Sequence, residues 1–450
     1  MERLRSLVMK NRVLFISLGC DKNLVDTEEM LGILGAEGYA FTNDETEAEV
    51  IVVNSCCFIN DAKEESINTI LEMAEYKTAG NLKALIVTGC LAERYRDEIL
   101  KEIPEVDAVV GTSSYDTIAE VVKETMAGKV TEQFLDLNRL PDIKTNRMVT
   151  TGGYYAHLKI AEGCDKHCTY CIIPKIRGKY RSVPMEKLVK QAEYLASIGV
   201  KELILVAQET TIYGVDLYGK KSLHILLEEL CKIRDIKMIR IMYCYPEEIY
   251  DELIKTMAKE KKVCNYLDMP IQHCSDDILK RMGRRTTKSE IIAKVNKLRE
   301  MIPDIVLRTT LIAGFPGETE EHHEEMMEFV DEMEFERLGV FTYSPEEGTP
   351  AANMENQVDE ETKLDWRDDI MELQQEIAFD KSEAMIGKEL LVMIEGKIAG
   401  EPAYVGRSYM DAPGIDGNIF INTGEEFISG DLVKVKVIGA NEYDLIGEIL

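Results

Sequence analysis

Short apolar runs alternate with longer amphipathic stretches over the first third of the chain. Three of these runs share one feature, a cysteine that follows shortly after the run. They are 13–17 with Cys20, 50–53 with Cys56 and 84–87 with Cys90. Strands that alternate with helices predict a parallel, doubly wound α/β sheet, and the carboxyl ends of its strands meet at one edge, where ligands bind. We therefore expect the three thiols to lie together although they are far apart in the sequence.

Three thiolates at one sheet edge have a specific chemical use. They suit an iron–sulfur cluster, and three protein ligands on a four-iron cluster would leave one iron open. The alternative is a chance placement of unrelated buried cysteines. Cys57 follows Cys56 directly and is expected to point elsewhere.

A second cysteine group spans eight residues, 164–171, shortly after the apolar run 156–160. Cys164, Cys168 and Cys171 have C-x-x-x-C-x-x-C spacing, which again indicates a cluster with one open iron. A closed zinc site is the alternative, and it needs four ligands. His167 is the nearest candidate for the fourth, but its position beside Cys168 would strain simultaneous ligation.

Composition restricts the class of protein. The chain has 450 residues, 11 cysteines and a formal net charge of −29. It contains no apolar run long enough to span a membrane and no signal-peptide core, which predicts a cytoplasmic protein. Cysteines in a reducing compartment favour metal ligation over disulfides. The negative surface disfavours nucleic acid and favours a basic partner, although solubility alone would also explain it.

Residues 141–378 continue the alternation of strands and helices. With the strand before Cys164 there are six βα units, which are too few to close an eight-unit barrel. The sequence therefore predicts a partial, TIM-like (βα)6 barrel with active residues at the carboxyl ends of its strands. The run 318–336 holds ten acidic residues and no lysine or arginine, so it is either a solvated helix face or a surface for a basic partner.

The last segment, 379–450, changes character. Five short strands with glycine turns predict a small OB-like β-barrel. From Glu383 onward there are twelve Asp and Glu against five Lys and Arg. Because nucleic-acid binding depends on basic side chains that neutralise phosphates, this composition argues against direct RNA binding.

The cysteine motifs together resemble those of the methylthiotransferases of the radical S-adenosylmethionine (SAM) superfamily. The phrases that carry the resemblance are Gly-Cys at 19–20, Asn-Ser-Cys at 54–56, Thr-Gly-Cys at 88–90 and the triplet at 164–171. The family's second phrase usually reads Asn-Thr-Cys, so Ser55 is a mild departure. The resemblance implies three domains: 1–140, flavodoxin-like with an auxiliary cluster; 141–378, the radical SAM barrel; and 379–450, a TRAM barrel.

The resemblance also implies the cofactors and their contacts. They are two 4Fe-4S clusters, one on Cys20, Cys56 and Cys90 and one on Cys164, Cys168 and Cys171, together with SAM. Family positions in the SAM site match Gln208, Gly314 and Phe315 here, and Arg308 is placed beside them to pair with a carboxylate of SAM or substrate, or to be structural. No catalytic residue is assigned outside the clusters.

Within the family, the branch that modifies ribosomal protein S-twelve of the small subunit is the most similar. The supporting phrases are 206–214, 270–273, 343–351 and 406–413. The implied reaction adds a methylthio group to the β-carbon of an aspartate, after a SAM-derived radical removes a hydrogen atom. It needs an electron donor such as a flavodoxin-type protein and a sulfur source. Alternatives are a methylthiotransferase acting on a tRNA adenosine next to the anticodon, and a non-enzymatic iron–sulfur scaffold or redox sensor.

Overall fold

The computed structural model describes residues 10–143 and 145–450. These residues form two compact units. The first holds the chain up to Thr150 with Ala161–His167 and Cys171–Tyr194, and the second holds Thr151–Ile160, Cys168–Tyr170 and Leu195–Leu450. The domain boundaries at 140 and 378 stay a prediction. Among the described helices, none combines the length and the apolar character that crossing a bilayer would need.

The first unit is built on a six-stranded parallel sheet with the order β2-β1-β3-β4-β5-β6. Its elements are β1 (Lys10–Ser17), α1 (Asp21–Ala36), β2 (Tyr39–Phe41), β3 (Val50–Ser55), α2 (Asn60–Ala79), β4 (Ala84–Gly89), α3 (Cys90–Glu102), β5 (Ala108–Val110), α4 (Ile118–Met126) and β6 (Thr131–Gln133). This order confirms the flavodoxin-like, doubly wound prediction. Every residue of β3 and β4 is buried, as expected for central parallel strands covered on both faces.

A six-stranded parallel sheet in the order β14-β13-β12-β11-β10-β7 dominates the second unit. The elements from Tyr155 onward are β7 (Tyr155–Lys159), β8 (Ala161–Glu162), α5 (Ile173–Arg177), β9 (Arg181–Ser182), α6 (Met185–Ser197), β10 (Glu202–Val206), α7 (Val215–Tyr218), α8 (Leu223–Cys231), β11 (Met238–Ile241), α9 (Asp251–Lys259), β12 (Val263–Asp268), α10 (Asp276–Arg281), α11 (Lys288–Met301), β13 (Val306–Ala313), α12 (Glu320–Met333), β14 (Arg337–Thr342) and α13 (Glu360–Glu383). The open sheet confirms the partial (βα)6 barrel. The strands β8 and β9 pair with each other in the first unit.

The remaining strands close into a five-stranded barrel in the order β15-β16-β17-β19-β18. They are β15 (Glu389–Lys397), β16 (Ala403–Arg407), β17 (Ile419–Asn422), β18 (Leu432–Asn441) and β19 (Asp444–Ile449). This confirms the predicted C-terminal barrel. One apolar core contains residues of both the barrel and the open sheet, for example Val392, Ile419, Ile204 and Tyr266. The barrel is therefore packed against the sheet within the second unit.

Candidate metal centres

Three of the predicted ligands lie at the carboxyl edge of the first sheet. Cys20 precedes the first residue of α1, Cys56 directly follows β3, and Cys90 is the first residue of α3. In the strand register Ser55 stands beside Gly89, so the chain leaves β3 and β4 with Cys56 and Cys90 next to each other. Cys20 and Cys56 flank the point between β1 and β3 where the strand order reverses, which is the usual binding crevice of this sheet type.

Glycines in the Gly-Cys phrases allow this close approach. Gly19 has φ +83°, and a Cβ there would lie 2.7 Å from Cys56 Sγ. Gly89 has φ +91°, and its Cβ would meet the carbonyl oxygen of Ser55 and the Asn54 side chain. Only glycine adopts such a φ without strain, so both phrases bring the following cysteine close to its neighbours.

Amide and hydroxyl groups hold the backbone of this edge. Asn23 Nδ2 donates to the carbonyl oxygens of Leu18 and Ser55, at 3.0 and 3.1 Å. Ser66 Oγ accepts from Cys56 N at 2.9 Å and donates to its carbonyl oxygen at 2.8 Å. Ser55 Oγ donates to the carbonyl oxygen of Thr88 at 2.5 Å. A threonine also carries such a hydroxyl donor, which explains why serine can stand at this position of the motif.

Arg177 is a buried cation bonded to one of the predicted ligands at this edge. Its side chain is 2% exposed, and Nε donates to Cys90 Sγ at 3.4 Å. Nη1 contacts Asp26 Oδ2 at 2.8 Å and Glu162 Oε2 at 3.3 Å, and Nη2 donates to Asn23 Oδ1. The guanidinium thus connects the Cys90 sulfur to two buried carboxylates.

The charges at the edge affect each other. Burial raises the pKa of the Cys90 thiol, and the Arg177 guanidinium opposes this rise. Burial also raises the pKa of Cys56, and the Cys20 thiol adds to it. Burial lowers the pKa of Arg177, but Cys90 and the two carboxylates outweigh burial and raise it overall. Arg177 is therefore charged, and it favours a thiolate at Cys90.

The thiols at this edge suit a cluster better than a single metal ion. Among residues 10–143 and 145–450, no three or more His, Cys, Asp or Glu side chains are gathered around a point suited to a single metal ion. A four-iron cluster binds each cysteine through a different iron, so its ligands stand farther apart than those of one ion. Three buried or half-buried thiols, with a cation that stabilises thiolate, fit such a cluster. The ligand set itself stays a prediction.

The triplet repeats the backbone pattern of the first site. Gly163 has φ +78°, and a Cβ there would meet the carbonyl oxygens of Gly178 and Lys179. Cys164 is buried, and its backbone N–H donates to the Gly178 carbonyl oxygen at 3.1 Å. His167, just before Cys168, also has positive φ, at 54°, and it is exposed. A residue with positive φ therefore precedes both Cys164 and Cys168.

Cys168 belongs to the second unit, whereas Cys164 and Cys171 belong to the first. Cys168 Sγ lies 3.9 Å from Tyr245 Oη. The buried Arg284 guanidinium stacks on the Tyr245 ring, with 4.2 Å between its carbon and the ring centroid. An arginine therefore stands near this cysteine too, but a tyrosine lies between them.

Arg308, a predicted cofactor contact, has partners inside the protein. Its Nη1 donates to Asp268 Oδ1 at 2.8 Å, and its Nε lies 3.4 Å from Asp416 Oδ1. These two carboxylates favour the structural interpretation that the sequence left open. Gln208 follows the carboxyl end of β10 and is half-buried, as the predicted SAM contact requires. Both assignments stay predictions.

Gly314 and Phe315 follow the carboxyl end of β13. A Cβ on Gly314, whose φ is +77°, would meet the buried side chain of Lys363. Phe315 is fully buried and packs edge-on against Tyr343 and against Tyr170 of the triplet loop, with ring centroids 5.3 and 6.4 Å apart. Its ring therefore packs against Tyr170 within the second unit, and an adenine contact at the Gly314 loop stays a prediction.

The sequence did not single out the polar residues that join the first site. Arg177 is one of four basic residues in the stretch 175–181 after the triplet, and nothing in that pattern separates it from the exposed Lys175 and Lys179. Asn23 had a weak signal, because it lies three residues after Cys20 at the start of a helix. Its contacts with Ser55 and Arg177 exist only in the folded chain.

Family comparisons divide the chain into three matched regions. Residues 12–111 match the uncharacterized protein family UPF0004. Residues 158–330 match the radical SAM superfamily, and residues 386–450 match the TRAM domain. The second match includes the triplet and the loop with Gly314.

Curated relatives match almost the whole chain. The ribosomal protein uS12 methylthiotransferase RimO of Lachnoclostridium phytofermentans is 64% identical over 436 residues, which cover 97% of this chain and 99% of the relative. The protein of the same name from Clostridium perfringens is 52% identical over 443 residues, which cover 98% of each chain.

Solved structures match at the level of fold. The radical SAM methyltransferase TsrM from Kitasatospora setae, with cobalamin and a [4Fe-4S] cluster, is 15% identical with a TM-score of 0.56, over 76% of this chain and 77% of that chain. The cobalamin-dependent radical SAM enzyme OxsB with aqua-cobalamin gives a TM-score of 0.51 at 14% identity, over 84% of this chain and 57% of that chain. At such identities the likeness concerns the fold alone.

Proposed function

The chain belongs to the family of the ribosomal protein uS12 methylthiotransferase RimO, and on that premise we propose that it adds a methylthio group to uS12, the S-twelve protein of the small ribosomal subunit. It is a radical SAM enzyme that uses a 4Fe-4S cluster and SAM. The finer proposal is that two clusters are present and that the target is the β-carbon of an aspartate.

One observation carries the proposal of two clusters. Cys20, Cys56 and Cys90 follow three neighbouring strands of one sheet and leave it at the same edge. A radical SAM enzyme that only generates a radical needs one cluster, on the triplet. A second group of three thiols supports a separate place where sulfur is handled before it is transferred.

The chain contributes the environment in which the cofactors act. When bound, the two clusters and SAM supply one-electron reduction, methyl transfer and sulfur transfer. Cys164, Cys168 and Cys171 would hold one cluster, and Cys20, Cys56 and Cys90 the other. Gln208 and the loop at Gly314 would orient SAM at the carboxyl ends of β10 and β13. Two of the three thiols at each centre are buried, which limits the access of water.

Charge supports a basic protein as the substrate over tRNA. The chain has 82 acidic and 53 basic residues, and the barrel segment from Glu383 is itself acidic. Such a surface attracts a basic protein and repels the phosphates of RNA. The acidic charge of helix α12 is partly neutralised by the preceding helix α11, because Glu325 of α12 pairs with Lys288 of α11 at 3.2 Å. The tRNA methylthiotransferase is the second candidate, and no contact given for the described residues favours the redox-sensor alternative.

The reaction also requires partners that the residues do not identify. We propose an electron donor such as a flavodoxin-type protein and a separate sulfur source. A net charge of −29 indicates that the donor docks through a basic patch of its own or at basic residues exposed on this chain, such as Lys175 and Lys179.

Reconstituted protein, SAM and a strong reductant should be incubated separately with uS12 and with tRNA. Mass spectrometry should then find a methylthio group on uS12, localised to one aspartate, and none on tRNA. The control is the Cys164→Ala/Cys168→Ala/Cys171→Ala variant, which should modify neither. Modification of tRNA alone would overturn the proposed substrate, and the absence of 5′-deoxyadenosine from the wild-type reaction would overturn the enzymatic function.

A further inference from the structure

Arg177 ends the short helix α5, which begins two residues after Cys171. We propose that Arg177 is a positioning residue that sets the reduction potential of the auxiliary cluster through its bond to Cys90. The inference rests on the proposed function, because it needs a cluster on Cys20, Cys56 and Cys90.

The guanidinium is held so that Nε faces the Cys90 sulfur. Nη1 is bonded to Asp26 and contacts Glu162, while Nη2 is bonded to Asn23. A planar guanidinium fixed at both Nη atoms has little freedom to turn its Nε–H away. The 3.4 Å contact between Nε and Cys90 Sγ is therefore directed by the fold.

Holding α5 in place does not require this arginine. Ile172 and Ile176 are buried in the core that also contains Cys90 and Leu91. Thr112 Oγ1 donates to the Ile176 carbonyl oxygen at 2.7 Å and fixes the end of the helix from the other side. Buried ion pairs contribute little net stability, because desolvation offsets their attraction. The packing of Ile172 and Ile176 accounts for the position of α5. The bond between the Arg177 guanidinium and the Cys90 sulfur therefore has a role other than holding the helix.

Hydrogen bonds to ligating sulfurs and local charge are two of the factors that set cluster potentials. A donated N–H and a nearby positive charge both stabilise the reduced, more negative cluster. The two carboxylates of Asp26 and Glu162 more than offset the single charge of Arg177, so the directed bond to Cys90 is the part that acts most specifically. Removing the guanidinium is therefore expected to make the potential more negative.

The test uses the full chain with Cys164→Ala/Cys168→Ala/Cys171→Ala as background, so that only the auxiliary cluster can form. Three variants are compared in that background: Arg177→Lys, Arg177→Gln/Asp26→Asn and Arg240→Lys. The double variant removes one buried charge of each sign, which protects folding. Arg240→Lys is the matched control, because Arg240 is as buried as Arg177 but pairs with Glu202 in the second unit.

Reduction is followed by electron paramagnetic resonance in a redox titration, with iron content and circular dichroism as checks of loading and folding. The double variant should shift the one-electron equilibrium at least tenfold toward the oxidised cluster, which corresponds to about 59 mV. Arg177→Lys should shift this equilibrium less, because lysine keeps the positive charge but loses the planar guanidinium that directs Nε–H toward the sulfur. Arg240→Lys should not shift it.

The two possible failures are distinguishable. If the background protein binds iron and all variants titrate at the same potential, the role of Arg177 is wrong while the proposed function stands. If the background protein binds no iron on intact Cys20, Cys56 and Cys90, the auxiliary cluster itself is wrong.

Discussion

Two buried ion-pair networks, one around Arg177 and one around Arg240 and Arg407, differ in the groups that the arginines contact. In the first unit, Arg177 is bonded to Asp26, Glu162 and the Cys90 sulfur. In the second, Arg240 and Arg407 share one carboxylate: Arg240 Nε lies 2.9 Å from Glu202 Oε1, and Arg407 Nη2 lies 2.7 Å from Oε2. All of these arginine side chains are 2% exposed or less.

The second network joins the C-terminal barrel to the open sheet. Arg407 ends β16 of the barrel, whereas Glu202 begins β10 of the sheet. Arg337, the first residue of β14, likewise bonds Asp411 of the barrel loop at 2.6 Å. In the open sheet, Glu202 and Arg337 lie at the amino ends of their strands. In TIM-like barrels residues at that end contribute to stability, whereas the active site lies at the carboxyl ends. Burial and pairing are thus common to both networks, and only the thiol partner indicates chemistry.

Replacing the three predicted ligands of the first site is the most severe test of the difference between the two networks. The Cys20→Ala/Cys56→Ala/Cys90→Ala variant should lose about half of the iron and all methylthio transfer, yet still cleave SAM, because the triplet would keep its own cluster. Cys57→Ala is the matched control: Cys57 is buried beside Cys56, and its loss should leave the iron content unchanged. Iron and sulfide analysis, with 5′-deoxyadenosine as a second product, measures both effects. Full iron in the triple variant would make Arg177 a structural arginine like Arg240.

A smaller effect, on stability alone, is expected at the second network. Arg407→Ala should lower the free energy of unfolding by about 3–5 kcal/mol, because it leaves the fully buried Glu202 with one partner fewer. Thermal or denaturant unfolding measures the loss. Lys397→Ala, which breaks the exposed pair with Glu426 in the same barrel, should change it far less, because solvent screens an exposed ion pair. Iron per folded chain should stay the same, and an iron loss confined to Arg407→Ala would contradict the separation of the two networks.

The smallest expected effect is a change in pH dependence. Burial raises the pKa of Glu202, but Arg407 and Arg240 outweigh burial and hold the pKa below the usual value of a glutamate carboxyl. A carboxyl group whose pKa is lower in the folded state adds stability above its unfolded pKa and loses it as pH falls through the folded value. Wild type should therefore be more stable than Glu202→Gln at neutral pH, and the difference should shrink below pH 4.5. An equal difference at pH 7 and in acid would show that ionisation of Glu202 does not contribute.

Much of the fold follows from local patterns in the chain. The fully apolar runs of β3 and β4 and the alternation with helices predicted the first sheet, and its topology places the strand-end cysteines at one edge. Six βα units and five late strands predicted the open sheet and the barrel. The short edge strands β2 and β6 were missed, because three residues carry no period of their own and pair only once a neighbouring strand is present.

In the candidate site, too, some features follow from the sequence and others only from the tertiary structure. Residue type and spacing determined where the cysteines lie, because the backbone conformation of each cysteine is set by the glycine or the strand end directly before it. Only the tertiary structure decided the partners of the charged groups. It buried Arg177 against Cys90, 87 residues away, and it paired Arg308 with Asp268 and Asp416. An arginine's long side chain can reach solvent, a carboxylate or a sulfur from the same place in the sequence, and packing of distant elements selects among them.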